Sequence, residues 1–511
     1  MRGDSTMSSA TITTELAAGQ AALAEDDRAT AGIVYAYTAS AVFWLLVGSA
    51  YGTLAACKLV WPDLLPFEWL SFGRIRPIHT ASILLGWLSV GLTGIAYLVV
   101  YRTSRRVLFS NALAHVGLWL LNLALFAGLA TLTLGITRGP IEYREWLTPI
   151  AALFAAGSLI NGANIFVTLL RRRTEELYIA DWFILGSFTW LPILYVIGYL
   201  PAFDRGIGNV VIQAYYMHVV LGLWFTPLVL GVTYWALPRM LHKPIYSYAL
   251  GVLAFWANLV FYPLIGAHHF VFAPLPWWLQ TTAIATGIGM MIPVVASSAN
   301  FLLTMKGSWR LIRREPAVWF IAVGAASYLV ASLQGSLQAF RSANALLHFT
   351  NHTVGHAHFA AYGFVSFLLF GAVYGLVPHI TGARDIAMRI RLHFWLALGG
   401  MALYVVSMVV AGVVQGLSWA DGRPFIESVV AIKPWYAIRA VGGGLMTLGH
   451  VVFAWRCARS RTPPRPGPRP HLRWRDDRSQ RAVPPPARGH RPRRCRGVRR
   501  PVVPDRTTPG P

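Results

Sequence analysis

Six histidines lie in or beside long apolar stretches of this 511-residue chain: His79, His218, His268, His269, His356 and His358. An ionisable ring at such a position is costly unless it is paired or ligated. The spacings point to ligation. His356 and His358 are two residues apart, about 200° around a helix, so they face opposite flanks. One helix can then serve two separate centres. A planar macrocycle whose iron takes an axial imidazole suits such a position. A six-coordinate iron needs a second histidine on another helix at matching depth, which His79 supplies; the other iron keeps an open sixth position. His218 with His268 and His269 makes a set of three neutral nitrogen donors, which favours copper, zinc or iron. Adjacent residues on a regular helix diverge by about 100°, so both can reach one metal only where the helix ends. The stretch GAHHFVFAPLP provides that end, with Gly266 before the pair and prolines after it. Tyr262 lies seven residues before His269, two turns back on nearly the same face, and is placed to give a proton and an electron just inward of the metal. His115, His393 and His450 are single and read as structural.

The elements that must position these rings are membrane helices. The chain is 55% hydrophobic and 13% charged, with a mean hydropathy of +0.51; soluble domains carry about a quarter charged residues. Its apolar runs are long enough to cross a bilayer as helices, which takes about 20 residues each. The pattern predicts an all-α integral membrane protein of about twelve spans, near 31–56, 79–101, 109–136, 147–170, 179–200, 209–236, 247–270, 276–305, 317–338, 351–378, 392–416 and 434–456. The 20 Trp and 20 Tyr suit interfacial belts. No soluble domain or repeat is evident. One membrane domain, residues 31–457, is flanked by an N-terminal segment, 1–30, and a Pro/Arg-rich tail, 458–511.

Connections after even-numbered spans, such as Arg102, Arg105 and Arg106 or Arg171, Arg172 and Arg173, hold more Lys and Arg than those after odd-numbered spans. Positive charge marks the cytoplasmic side, so both termini are expected there. In that orientation His79 opens span two, His356 and His358 start span ten, His218 sits about two and a half turns into span six, and span seven runs outward to His268 and His269. All six converge on the outer half of the bilayer.

The formal net charge of +24 is concentrated in the tail, where 16 Arg from Arg459 to Arg506 stand against Asp476, Asp477 and Asp505. Such a proline-rich segment cannot bury a core and is expected to be disordered and solvated; no nucleic-acid binding is read from it. Cys57, Cys457 and Cys495 form no C-x-x-C-H site for covalent haem, and the polar N-terminus has no cleavable signal.

These motifs resemble subunit I of the haem-copper oxidase superfamily, most closely the cbb3-type (C-family) cytochrome c oxidases, over roughly residues 30–457. FGRIRPIHT resembles the first haem-ligand motif, YYMHVVLGLW the first copper-ligand helix, and KPIYSYALGVLAFWANLVFYPLIGAHHFVFAPLPWW the helix with the tyrosine and histidine pair. NALLHFTNHTVGHAHFAAYGF resembles the two-haem helix and AIKPWYAIRAVGG the last span. The resemblance implies that His79 and His358 are axial ligands of low-spin haem b, and His356 the proximal ligand of a high-spin haem b. It makes His218, His268 and His269 the copper B ligands, and Tyr262 the redox tyrosine, linked covalently to His218. Arg76 and Arg439 would pair with haem propionates, where a guanidinium matches a carboxylate. EYREW resembles the segment supplying a calcium-binding glutamate, so Glu145 is a candidate calcium ligand. The implied activity is reduction of O2 to water with electrons from cytochrome c, coupled to proton uptake. The implied setting is a bacterial inner membrane, with haem c-carrying oxidase subunits as partners. Protons would rise from the cytoplasm; Tyr234, Tyr246, Ser247 and Tyr248 are candidates.

Two positions depart from the family pattern. Gln334 stands where a glutamate is usual, and an amide carries no proton at physiological pH; His352 replaces a tryptophan. The nearest alternative is a nitric oxide reductase of the same superfamily, with a non-haem iron assisted by a glutamate. No Asp or Glu occurs between Asp204 and Glu315, and the absence of hard oxygen donors favours copper. A transporter of twelve spans would want broken helices and charges at mid-membrane, which does not account for H-x-H facing two ways.

Overall fold

The computed structural model describes residues 9–459 apart from 140, 202–204 and 382–386, with side chains from 26 to 457 outside those gaps and 379–387. The expected tail therefore lies almost wholly outside the described residues. Among the described residues twelve helices are long and apolar enough to span a bilayer: α1 Asp26–Lys58, α2 Phe72–Ser104, α3 Asn111–Thr133, α4 Thr148–Leu170, α5 Ile179–Tyr199, α6 Gly206–Met240, α7 Tyr248–Phe270, α8 Trp277–Met305, α9 Pro316–Ala339, α10 Asn351–Pro378, α11 Met388–Ala420 and α12 Phe425–Cys457. No strand occurs among the described residues.

The spans match the sequence spacing, with differences at the ends. The helix containing α1 runs back to Ser9, α2 begins at Phe72 rather than near 79, and α12 begins at Phe425 rather than near 434. Apolar runs stop at the hydrocarbon boundary, whereas backbone hydrogen bonds continue past it through polar residues such as Arg74, Arg76 and Lys433. His79 consequently sits two turns inside its helix, not at its start.

Packing sorts the spans by burial. The most apolar windows of α2, α6 and α10 are 89%, 94% and 83% buried, against 56% or less in every other span. These three carry His79, His218, His356 and His358. The remaining helices wrap them: α1 packs on α2 and α12, α9 on α10, and α11 along α12. Gly400 and Gly442 let α11 and α12 approach until a Cβ on either would press on the other's backbone.

Each central helix also widens into a π-turn just after its histidine: Ser82–Val90 in α2, Leu221–Phe225 in α6 and Phe359–Ser366 in α10. Such turns insert one residue into the helical ladder and cluster at functional sites. Nothing in the apolar pattern announces them.

Away from the histidines, α1 to α4 are tied by a buried polar knot. The Tyr37 and Tyr97 hydroxyls both donate to Asn161 Oδ1, at 2.8 and 2.9 Å, while Asn164 Nδ2 donates to the Ser110 carbonyl at 2.8 Å. Asn161→Leu removes the acceptor shared by the two phenols. Tyr37 keeps the Ala114 carbonyl at 2.8 Å but Tyr97 loses its acceptor, so the expected cost is about 1–3 kcal/mol, the penalty for an orphaned buried donor, measured as a lower thermal midpoint in detergent.

Candidate metal centres

Helix α7 delivers two adjacent histidines to one point because its end is not α-helical. Pro263 has no N–H to continue the ladder, and the chain tightens into 3-10 turns at Tyr262–Leu264 and Gly266–Phe270. Gly266 crosses α6 so closely that a Cβ there would lie 2.6 Å from Tyr215 Cα. His268 and His269 thereby reach His218. One ligand nitrogen from each of the three falls within 4.8 Å of the other two, and the ring centroids are 4.5, 4.5 and 4.6 Å apart. His218 Nδ1 faces His269 Nε2 directly, and His268 Nδ1 is buried with no hydrogen-bond partner. Three imidazoles converging on a point with an orphaned lone pair fit a cation that accepts neutral nitrogen donors.

Tyr262 lies against this set, its ring 5.2 Å from that of His218 and tilted by 28°. The position is fixed from two sides. Gly222, one turn after His218, leaves the space the phenol ring fills; any Cβ there would overlap it. Asn258 Nδ2 donates to the Gly222 carbonyl at 3.2 Å, binding α7 to the π-turn of α6.

The H-x-H pair of α10 divides between two neighbourhoods. His358 faces His79, with ring centroids 6.1 Å apart and planes within 10° of parallel. Two metal–nitrogen bonds of about 2 Å on opposite sides of one ion put imidazole centres roughly 6 Å apart, so this separation fits one iron between them. Both rings are tautomerically set: His79 Nδ1 donates to the Gly48 carbonyl at 2.7 Å and His358 Nδ1 to the Val354 carbonyl at 2.9 Å. Each Nε2 lone pair then points away from the backbone. The Tyr404 hydroxyl donates to His358 Nε2 at 3.2 Å. His356 turns instead toward Gly335 of α9, with Nδ1 buried and unbonded. It lines a cavity of about 400 Å³ together with His268, His269, His348 and Thr353.

Arg439 lies over the Tyr404 ring at 5.2 Å, with a buried, unbonded Nε, while Arg76 forms an ion pair with Glu142. Both arginines lie within electrostatic reach of His79 and His358. Glu145 is partly buried, and burial raises its pKa to about 7, opposed in part by Arg76. Among the described residues no cluster of three acidic, thiol or imidazole side chains surrounds it; Glu142 is the acidic neighbour that acts on it. Gln334 Nε2 and His352 Nε2 are 3.5 Å apart.

The polar residues near the adjoining ends of α6 and α7 separate into two groups. Tyr234 is buried and bonds Ser297 at 3.3 Å, and Tyr248 donates to the Leu177 carbonyl. Ser247 caps α7 by accepting from Leu250 N, and Tyr246 is exposed; these two serve the helix end and the surface. Sequence reasoning passed over Tyr328, buried with an unbonded hydroxyl, and Glu142, Gly222, Asn258 and Tyr404. Of these, Glu142, Gly222 and Asn258 lay in motifs already singled out, whereas Tyr328 and Tyr404 did not.

The family model described as Cytochrome C and Quinol oxidase polypeptide I matches residues 32–445. The chain belongs to that family. It is 32% identical over 453 residues to the Cbb3-type cytochrome c oxidase subunit CcoN1 of Stutzerimonas stutzeri, covering 84% of this chain and 95% of that protein. It is also 32% identical over 443 residues to the cytochrome c oxidase subunit 1 homolog of Agrobacterium tumefaciens strain T37, covering 81% and 80%. A solved heme-copper terminal oxidase dimer superposes with a TM-score of 0.69 at 14% identity, over 86% of this chain and 85% of that one; at that identity the likeness is one of fold. The chain is thus a haem-copper oxidase subunit I, of the kind most like the cbb3 branch.

Two outcomes follow for this oxidase subunit. Gly222→Ala forces the Tyr262 ring off α6; turnover should fall at least about tenfold while the metal content of the purified protein stays unchanged, overpacking costing about 1–3 kcal/mol. Glu145 has a folded pKa above the usual carboxylate range near 4.3, so the stability it contributes is present at low pH and is lost as pH rises toward 7. Glu145→Gln should flatten that part of a thermal-midpoint-against-pH profile, and added calcium should oppose the decline only in the unsubstituted protein.

Proposed function

We propose that this chain is the catalytic subunit of a cbb3-like terminal oxidase that reduces O2 to water with electrons from cytochrome c. In this reading His79 and His358 hold a low-spin haem b, His356 holds a high-spin haem b from the cavity side, and His218, His268 and His269 hold copper B. When bound, the two irons and the copper supply electron transfer and the reduction of dioxygen. The carrying observation is that the two histidines of one helix, two residues apart, lie in two different imidazole neighbourhoods: one paired across a gap suited to a single iron, the other opening on a cavity shared with a histidine trio.

The chain's own residues account for the rest. The Gly48 and Val354 carbonyls fix the Nδ1–H tautomers and leave both Nε2 atoms free to coordinate. Coordination by His358 and the Tyr404 bond draw on the same lone pair, so one replaces the other. Arg439 brings a half-buried guanidinium with a buried, unbonded Nε to this region, suited to a propionate; Arg76 would share itself between a propionate and Glu142. Tyr262 holds a transferable proton at Oη beside the copper ligands. Tyr234, Ser297 and Tyr328 supply hydroxyls toward it from the inner side, while the buried Trp87, Trp224 and Phe225 keep bulk water from the interior. Glu145, with backbone carbonyls, would bind calcium only as one of the six to eight oxygens that ion takes. Gln334 cannot carry a proton, which argues against a proton exit through that position.

Residues 31–457 form the catalytic domain in this assignment, in a bacterial inner membrane with both termini cytoplasmic, and haem c-carrying subunits pass electrons to it. A reduced-minus-oxidised spectrum, metal analysis and gas-consumption assays test it together. The expected result is haem b bands, one copper per chain, and consumption of O2 in preference to nitric oxide. Absence of haem, or iron in place of copper with nitric oxide consumption, would overturn the reading. His358→Ala should remove the low-spin signal and His356→Ala the high-spin one. Each should lower turnover more than about 100-fold, beyond the loss seen for supporting residues.

A further inference from the structure

We infer that His450 of α12 is a positioning residue for the low-spin haem site, a role that rests on the assignment of His79 and His358 just made. His450 is buried and has both ring nitrogens bonded. Its Nδ1 lies 2.7 Å from Ser49 Oγ and its Nε2 lies 3.0 Å from the Tyr362 hydroxyl. The proton positions follow from counting donors. Ser49 has one hydroxyl proton, and it is given to the Leu45 carbonyl at 2.6 Å. Ser49 Oγ must therefore accept, so His450 carries its proton on Nδ1 and receives the Tyr362 proton at Nε2. The ring is neutral, single-tautomer and fully satisfied.

Its two partners stand next to the two proposed axial ligands. Ser49 follows Gly48, whose carbonyl receives the His79 Nδ1–H at 2.7 Å. Tyr362 follows His358 by four residues, inside the π-turn of α10. A single imidazole thus spans α1 and α10 at the level that fixes the two rings relative to each other. One turn earlier on α12, Thr447 reinforces the grip: its hydroxyl lies 2.8 Å from Thr53 Oγ1 and donates to the Ser49 carbonyl at 3.5 Å. Between these contacts sits Gly52, which seats the His79 ring so closely that a Cβ would press on Nδ1. The segment Gly48–Thr53, which orients His79, is held from behind by α12.

A hydrogen bond from Nδ1–H to a carbonyl makes an imidazole a stronger donor to its metal. Loosening Gly48 weakens that bond, stabilises the reduced iron relative to the oxidised, and raises the midpoint potential of the low-spin haem. His393 provides the contrast. It is also buried, on α11 with its ring 6.3 Å from that of His450, but it bonds Tyr374 at 2.9 Å, not the groups beside the axial ligands.

The test is a spectroelectrochemical titration of the assembled oxidase, with electron paramagnetic resonance of its low-spin ferric signal. In His450→Leu the low-spin potential should rise and its signal shift, with the high-spin potential unchanged. His450→Gln should restore both, since an amide can donate to Ser49 and accept from Tyr362. Ser49→Ala should reproduce a smaller shift of the same sign, and it decides the matter if the leucine variant does not assemble. His393→Leu should leave the low-spin potential in place. The inference falls if His450→Leu and Ser49→Ala leave the low-spin haem untouched, if both haems shift together, or if His393→Leu gives the same shift. If the unsubstituted protein shows no bis-histidine low-spin signal, the failure is instead that of the haem assignment.

Discussion

A neutral imidazole buried in an apolar helix bundle must place its nitrogens somewhere, and the rest of this structure depends on how that requirement is met. Where protein groups suffice, the ring is closed off: His450 has a hydroxyl at each nitrogen. Where they do not, lone pairs are left facing one another, as in His218, His268 and His269, or facing a cavity, as in His356. Desolvating such groups without compensation is unfavourable, and metal coordination is the compensation the donor set suits.

The architecture concentrates these rings where neighbours can hold them rigidly. α2, α6 and α10 are the most enclosed spans, and each breaks α-helical regularity immediately after its histidine. The insertion re-aims the side chains that follow, while the enclosing helices prevent the extra residue from relaxing. α7 reaches the same point from the periphery by ending, so that two consecutive residues point one way. Glycines at 52, 222, 266 and 335 pass the backbone or neighbouring rings at contact distance. Small residues here serve geometry more than flexibility.

Much of this was legible from the chain alone, for definite reasons. Twelve spans follow from hydropathy because the bilayer demands internally bonded backbone over a fixed thickness. The divergence of His356 and His358 follows from helical angle, and the joint arrival of His268 and His269 from the glycine and prolines around them. Span ends were misjudged where helix outlasts hydrocarbon, at Phe72 and Phe425. The π-turns, the seat at Gly222 and the pairing of Arg76 with Glu142 were invisible, because each depends on residues 40 or more positions apart or on a ladder shift that leaves no compositional trace. Ser247 also caps α7 and Tyr246 lies exposed, contacts that residue type alone does not announce.

The central claim is that separate imidazole sets on these helices hold two porphyrin irons and a third metal. The most direct measurement is a density map of the purified, cofactor-loaded oxidase. A planar macrocycle bridging His79 and His358, and a second against His356 facing a metal bound by His218, His268 and His269, is the predicted result. Density showing those rings bonded only to protein groups or water, or a macrocycle held by other residues, would contradict it.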